Sequence, residues 1–394
     1  MLSTIDDFCH QHTLLPHGSV VILGLSGGPD SIFLLHYLAP YHHRKEITLI
    51  AAHLDHQWRP ESGKEAQFCH EITQKLHIRL ITGKLSELSF PGKINTQSTT
   101  KYNGSIEDYG RRARRYFFNQ IRDQIVSTGI FFDDQETNNT QNSEIIWSQA
   151  YLHNVSSPKT HKNNPPVIIA LGHHHDDQIE TFFIRLIRGS SLTGLTGMQP
   201  QTDHYIRPLL CVSKQEILTY LDQHTISYVI DSSNYSDIYL RNRIRMSVIP
   251  ALNQCDSRFD ANMTNTLARL LETEQFLEEL TRTEFSKIIQ ENSCPDTINT
   301  QQNSPQNILN NSLDTHTRTS RYLLNITSLL TYHLIMQQRI LLYWFEQEKV
   351  SLNPSQAILN EIIRFLKSPR GGTHHVTPTW KLIKKRKVLS LILS

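Results

Sequence analysis

At 394 residues the chain is longer than one hydrophobic core usually organises, so two or more domains are expected. Its 39 Lys and Arg against 37 Asp and Glu give a formal net charge of +2, which leaves no basis for wholesale polyanion binding and confines any nucleic-acid surface to local patches. The five scattered cysteines (Cys9, Cys69, Cys211, Cys255, Cys294) form no Cys-x-x-Cys pair, so no disulfide framework or metal-thiolate centre is expected; without a leader-like start or a membrane-length apolar run, the chain reads as soluble and cytoplasmic, with no membrane partner.

Strand and helix patterns alternate through residues 1–250. Near-continuous Val/Ile/Leu runs at 20–25, 47–54, 78–81, 167–171 and 228–230 predict buried strands. Helices are predicted at 61–77, 106–126, 177–188 and 214–224, with capping boxes Ser105/Asp108 and Ser213/Glu216. This alternation predicts an α/β fold with a doubly wound parallel sheet, whose ligands lie outside the carboxyl ends of the strands. Ser26, Asp55, His173 and Asp231 each follow a predicted strand there. Segments 132–166 and 292–319 are rich in Asn, Gln, Ser and Thr and read as flexible insertions without chemistry. Helical spacing over 258–289 and 322–348 predicts a helical second domain spanning 251–368, and 369–394 reads as a small, basic, hairpin-like C-terminal cap.

The densest signal is Ser26-Gly27-Gly28-Pro29-Asp30-Ser31, between the first predicted strand and a helical run starting at Ile32. Paired glycines permit a tight turn whose amides converge on an anion. The hydroxyls of Ser26 and Ser31 add donors, and the following helix points its positive end at the same place, so the predicted ligand is phosphate. No Gly-Lys-Ser/Thr closes the loop and no third spaced glycine follows, which disfavours a Walker A loop and a dinucleotide fingerprint. An acid beside a polyphosphate suggests a divalent cation between them, making Asp30 a candidate Mg²⁺ ligand. The alternative is an ordinary turn with Asp30 capping the helix.

Three further constellations stand out. His53-Leu54-Asp55-His56 ends a predicted strand. Arg111, Arg112, Arg114 and Arg115, with Tyr116 and Phe117 beside them, form either a solvated helix face or a surface for phosphate contact and base stacking. His173-His174-His175 invites a zinc reading, but no cysteine lies nearby and the ligand spacing is wrong, so zinc is not expected. His173 is expected to face the pocket, with Asp177 one helical turn on, where it can share Mg²⁺ with Asp30. Gln178, Glu180 and Thr181 read equally as satisfied helix polar groups.

The glycine loop resembles that of the N-type ATP pyrophosphatases. Taken with His53 to Ser62, Arg111 to Phe118, Gly172 to Thr181 and Arg188-Gly189-Ser190, it resembles the tRNA(Ile)-lysidine synthetase family over about residues 18–250, and more weakly beyond. The family more often has an aliphatic residue where Trp58 stands. The resemblance implies a PP-loop sheet of the adenine nucleotide alpha-hydrolase-like kind. It also implies ATP and Mg²⁺ as cofactors, with L-lysine and the CAU-anticodon tRNA(Ile) as partners. In the implied reaction the wobble cytidine's C2 oxygen is adenylated and lysine's ε-amine then displaces AMP. Because that amine has a reference pKa of about 10.4, the site must favour its neutral form. His173 and Asp55 are the candidate bases, and Asp30, Asp177 and Arg112 complete the implied catalytic set. The resemblance places Arg59 and Glu61 at the pocket, and leads Arg207-Pro208-Leu209-Leu210, Asp231, Asn234, Arg241, Asn242, Arg243 and Arg245 toward the RNA. RNA contacts are expected from Arg112, Arg115, Arg241 and Arg245, and from Lys384 and Lys385 in the basic tail. A tRNA thiolase sharing the loop would be expected to use paired cysteines, another amide-forming synthetase would lack the arginine block, and a non-catalytic RNA-binding module would lack the pocket residues.

Overall fold

The computed structural model describes residues 1–58, 62–88, 106–128, 144–146, 165–230, 239–292, 319–350 and 355–393. The chain divides into two compact units, Met1–Ala268 and Arg269–Ser394. No helix among the described residues is long and apolar enough to cross a membrane.

The first unit begins with α1 (Leu2–Gln11), β1 (Val20–Gly24), α2 (Pro29–His43), β2 (Thr48–Asp55), α3 (Ser62–Lys75), β3 (Arg79–Lys84), α4 (Ile106–Thr128) and β4 (Glu144–Ile146). It continues with β5 (Val167–Ala170), α5 (His175–Ile187), α6 (Leu192–Leu195), β6 (Gln201–Thr202), β7 (Tyr205–Ile206), α7 (Lys214–Gln223), α8 (Leu240–Arg243) and α9 (Ile249–Cys255). The seven strands run in the order β4-β3-β2-β1-β5-β7-β6. All pairs are parallel except β6–β7, and Val20 lies opposite Thr48 on one side and Val167 on the other. Because side chains alternate along a strand, Val21, Leu23, Leu49, Ala51 and Ile168 pack against α2, while Val20, Ile22, Ile50, Ala52 and Ile169 pack against α4. Helices thus cover both faces, and the order reverses between β1 and β5, as in doubly wound sheets.

Three expectations change. The triplet 228–230 is not a strand; β7 takes the place beside β5. A short strand, β4, lies within the polar stretch expected to be a structureless insertion. Phe117 is fully buried, so it is no base-stacking surface. Ala113, Phe117, Ile121 and Ile125 recur at helical spacing and form the core face of α4. The close approach needs glycine beneath it: a Cβ at Gly83 would lie 2.6 Å from the Phe117 ring, and one at Gly24 would lie 2.9 Å from the Phe118 ring.

α10 (Phe259–Ile288) contains the division between the units. The second unit adds β8 (Ile289–Glu291), β9 (Tyr322–Asn325), α11 (Ile326–Leu329), α12 (Leu334–Gln347), α13 (Gln356–Lys367), β10 (Gly372–His375), β11 (Trp380–Lys385) and β12 (Val388–Leu393). Its five strands pair antiparallel in the order β10-β11-β12-β9-β8. The tail is therefore not a separate hairpin cap: β12 bonds β9, and Leu382, Leu389 and Leu391 share a core with Trp344, Phe345, Ile362 and Leu366.

Lys384, expected to touch RNA, is instead buried at 7% exposure. Period-two alternation puts it on the inward face with Trp380 and Leu382, where its ammonium donates to the carbonyls of Leu366 (2.7 Å), Ser368 and Phe365 at the end of α13. Carbonyls at a helix C-terminus lack the full set of intrahelical partners, and a cation there also complements the helix dipole. Lys384→Met should therefore lower stability by about 1–3 kcal/mol. Lys385→Glu, on the exposed turn, should change it by less than about 0.5 kcal/mol. Equal melting curves for the two variants would contradict this assignment.

Candidate functional site

The site begins where β1 ends. Gly27 takes φ +81°, a left-handed conformation natural to glycine, and Gly28 caps α2 with Pro29 in the first helical position. Two serines close the turn: Ser31 Oγ donates to the Gly28 carbonyl (2.9 Å) and accepts the Ser26 amide (3.2 Å), while Ser26 Oγ accepts the Gly28 amide (3.4 Å). The triplet expected to be a strand docks here instead, Val229 N–H donating to the Gly27 carbonyl at 2.9 Å. β5 approaches from the other side, since a Cβ on Gly172 would lie 3.1 Å from the Asp30 carbonyl carbon. A tight loop at the head of a fifteen-residue helix, set at the switch point of a parallel sheet, is suited to a phosphate group.

Around the loop lies a layered charge cluster. Asp30 Oδ1 accepts from Lys214 Nζ at 2.6 Å, and Asp30 Oδ2 lies 3.9 Å from His174 Nε2. Asp177 Oδ2 lies 3.6 Å from the same nitrogen and accepts the His174 amide at 3.0 Å, so Asp177 also secures the first turn of α5. Asp176 accepts the Lys214 amide at 3.1 Å. Burial works against charge on His174, but Asp177, Asp176 and Asp30 outweigh it and raise the imidazole above its ordinary value. Burial likewise opposes the Asp177 carboxylate, yet His174, Arg241 and His173 hold it well below the usual range. His173 is the opposite case: burial, Arg207, Arg241 and His174 override Asp177 and push it down to about 4, which keeps the ring neutral at pH 7.

Arg241 and Arg245, expected to contact RNA, face α5. Arg241 bonds Asp177 Oδ1 and Glu180 Oε2, both at 2.6 Å, and Arg245 bonds Glu180 Oε1 at 2.5 Å. Buried carboxylates need counter-charges, and these two arginines supply them. Gln178 is satisfied too, exchanging bonds with the Met198 backbone in both directions at 2.6 Å.

Asp55 ends β2, its carboxylate accepting the Gln57 amide at 2.7 Å in an Asx turn. His53 is a core histidine that bonds the Leu25 carbonyl at 2.9 Å. On α4, Arg112 and Arg115 are exposed, Arg115 lying 5.0 Å above the Tyr205 ring, while Arg111 pairs with Asp108 at 2.7 Å. Arg59, Glu61, Ser105, Asp231 and Asn234 lie outside the described residues. The structure thus gathers Asp30, His174, Asp177 and Lys214 around the loop, whereas Asp55 and the α4 arginines stand on other elements. Lys214 was not legible as a site residue. Its only local signal was the Ser213/Glu216 capping box, which is formed and places Lys214 in the first turn of α7.

Asp30 Oδ2 and Asp177 Oδ2 stand either side of His174 Nε2, at 3.9 and 3.6 Å, and two carboxylates are the donor type Mg²⁺ takes from a protein, phosphate and water supplying the rest. No group of three His, Cys, Asp or Glu among the described residues would hold a metal alone.

The family model of the PP-loop domain matches residues 3–137 and 158–252, and that of the TilS substrate binding domain matches 324–387. The tRNA(Ile)-lysidine synthase of Bacillus cereus is 30% identical over 294 residues, and that of Bacillus subtilis is 31% identical over 293 residues. Each alignment covers 73% of this chain and 52% of the relative, so the chain spans about half the length of these curated relatives. A solved U34-tRNA thiolase from Methanococcus maripaludis superimposes with a TM-score of 0.48 at 16% identity, covering 68% of this chain and 78% of that one.

Proposed function

Since the chain belongs to the PP-loop family, we propose that it is an ATP-dependent ligase acting in the cytoplasm. It joins L-lysine to C2 of the wobble cytidine of CAU-anticodon tRNA(Ile), forms lysidine, and so converts an AUG reader to AUA. The observation that carries this reading is the pairing, in one chain, of a PP-loop match with a TilS substrate binding domain match.

The loop residues Ser26, Gly27, Gly28, Pro29 and Ser31 cradle the pyrophosphate of ATP against the start of α2. Asp30 and Asp177 would hold Mg²⁺, which neutralises charge on the departing pyrophosphate. Lys214 adds an ammonium on the opposite side of Asp30. The anticodon base is single-stranded and enters without duplex opening. Its C2 oxygen attacks the α-phosphorus and expels pyrophosphate; lysine's ε-amine then attacks C2 and expels AMP. The neutral His173 and the carboxylate of Asp55 are the groups available to take the amine proton. RNA phosphates meet Arg112 and Arg115 on α4, and Lys385 with Arg386 and Lys387 on the exposed β11–β12 turn.

Two results test this. AMP release should require both the RNA and lysine; release that ignores lysine would overturn the ligase reading. Arg112→Ala and Arg115→Ala should each weaken RNA binding and reduce the log–log salt slope by about 1. Unchanged affinity across a salt series would return the block to a solvated helix face.

A further inference from the structure

Trp58 sits three residues beyond the end of β2, the strand next to the phosphate-loop strand. It is 44% exposed, whereas the other described tryptophans, Trp344 and Trp380, are 0% and 7% exposed. Its position is built. The indole stacks on His56 with ring centroids 4.6 Å apart and planes 24° apart, and it lies close against α4, where a Cβ on Gly110 would be 2.4 Å from Trp58 Cη2 and would displace the ring. Both ring nitrogens of His56 are buried without a hydrogen-bond partner among the described residues. Burial, Arg114 and His53 push His56 down to about 3, so the indole rests on a neutral aromatic ring. A large aromatic held in one orientation but left half open, on the ligand-binding edge of a parallel sheet, lacks only a flat partner. Arg111, paired with Asp108 on the same helix as Gly110, and Arg114, whose charge reaches His56, stand on this helix as well.

We propose that the Trp58–His56 stack is a nucleobase platform, on which either the adenine of ATP or an unstacked base of the RNA lies flat. This rests on the ligase reading for its two ligands, but it is tested by binding alone. Intrinsic fluorescence of the full chain is titrated with ATP and Mg²⁺, and separately with a CAU-anticodon stem–loop RNA, in wild type, Trp58→Phe and Trp58→Leu. One ligand should quench the wild-type emission. For that ligand Trp58→Leu, which keeps apolar cover but no ring, should raise Kd roughly tenfold, while Trp58→Phe stays within about threefold. Affinity for the other ligand should not move, and the two variants should melt alike. If Trp58→Leu binds both ligands as tightly as wild type, or if Phe and Leu lose affinity equally, the platform is wrong. A wild type that binds but makes no lysidine would instead sink the ligase reading and leave the platform standing.

Discussion

Replacing Asp30 with alanine is expected to abolish AMP formation, by about a hundredfold or more, while RNA affinity stays within about threefold. The carboxylate lies in the first turn of α2 and accepts from Lys214 at 2.6 Å, with its other oxygen directed at His174. Alanine removes the proposed magnesium ligand and leaves the Lys214 ammonium without this acceptor beside the phosphate site. If Asp30 did no more than complement the helix dipole, its loss would cost about 0.3–1 kcal/mol of stability and little else. Unchanged turnover at saturating Mg²⁺ would therefore return Asp30 to a capping role.

Glu180→Ala is expected to destabilise the first unit strongly. Its carboxylate is 1% exposed and carries both Arg241 and Arg245. Removing it leaves two guanidinium groups with Asp177 as the remaining carboxylate of this network. Breaking a buried pair costs about 3–5 kcal/mol, and the lower end applies because the arginines are 28% and 40% exposed and can rehydrate. A loss of about 3 kcal/mol would lower the melting midpoint by roughly 6–12 °C. A midpoint that moves by less than about 3 °C would show that the network is not holding α5. Because Asp177 shares Arg241, activity should fall beyond what the unfolded fraction explains.

The parts of this molecule legible in its sequence are those set by local pattern. β1, β2 and β5 are buried on both faces and so read as continuous apolar runs, and the glycine loop announces itself between β1 and α2. β6 and β7, at two residues each, are too short to carry any period. The triplet 228–230 misleads because its backbone bonds the loop at Gly27 rather than a neighbouring strand, and Ile230 is left 64% exposed. Lys384 and Phe117 were legible in principle, since strand alternation and helical spacing point both inward; a count of basic and aromatic residues hid them. Lys214, Arg241 and Arg245 were not, because their partners lie 184, 64 and 65 residues away and only tertiary packing selects among the available acids.

The central claim concerns what the phosphate loop and its charge cluster are for. Incubation of the protein with CAU-anticodon tRNA(Ile), ATP, Mg²⁺ and isotopically labelled L-lysine, followed by digestion to nucleosides and mass analysis, reads the product itself. A cytidine derivative heavier by one labelled lysine less water, dependent on ATP and absent with the Asp30→Ala variant, is the predicted result. Unmodified cytidine at the wobble position, from folded protein that binds both ATP and the tRNA, would contradict the account.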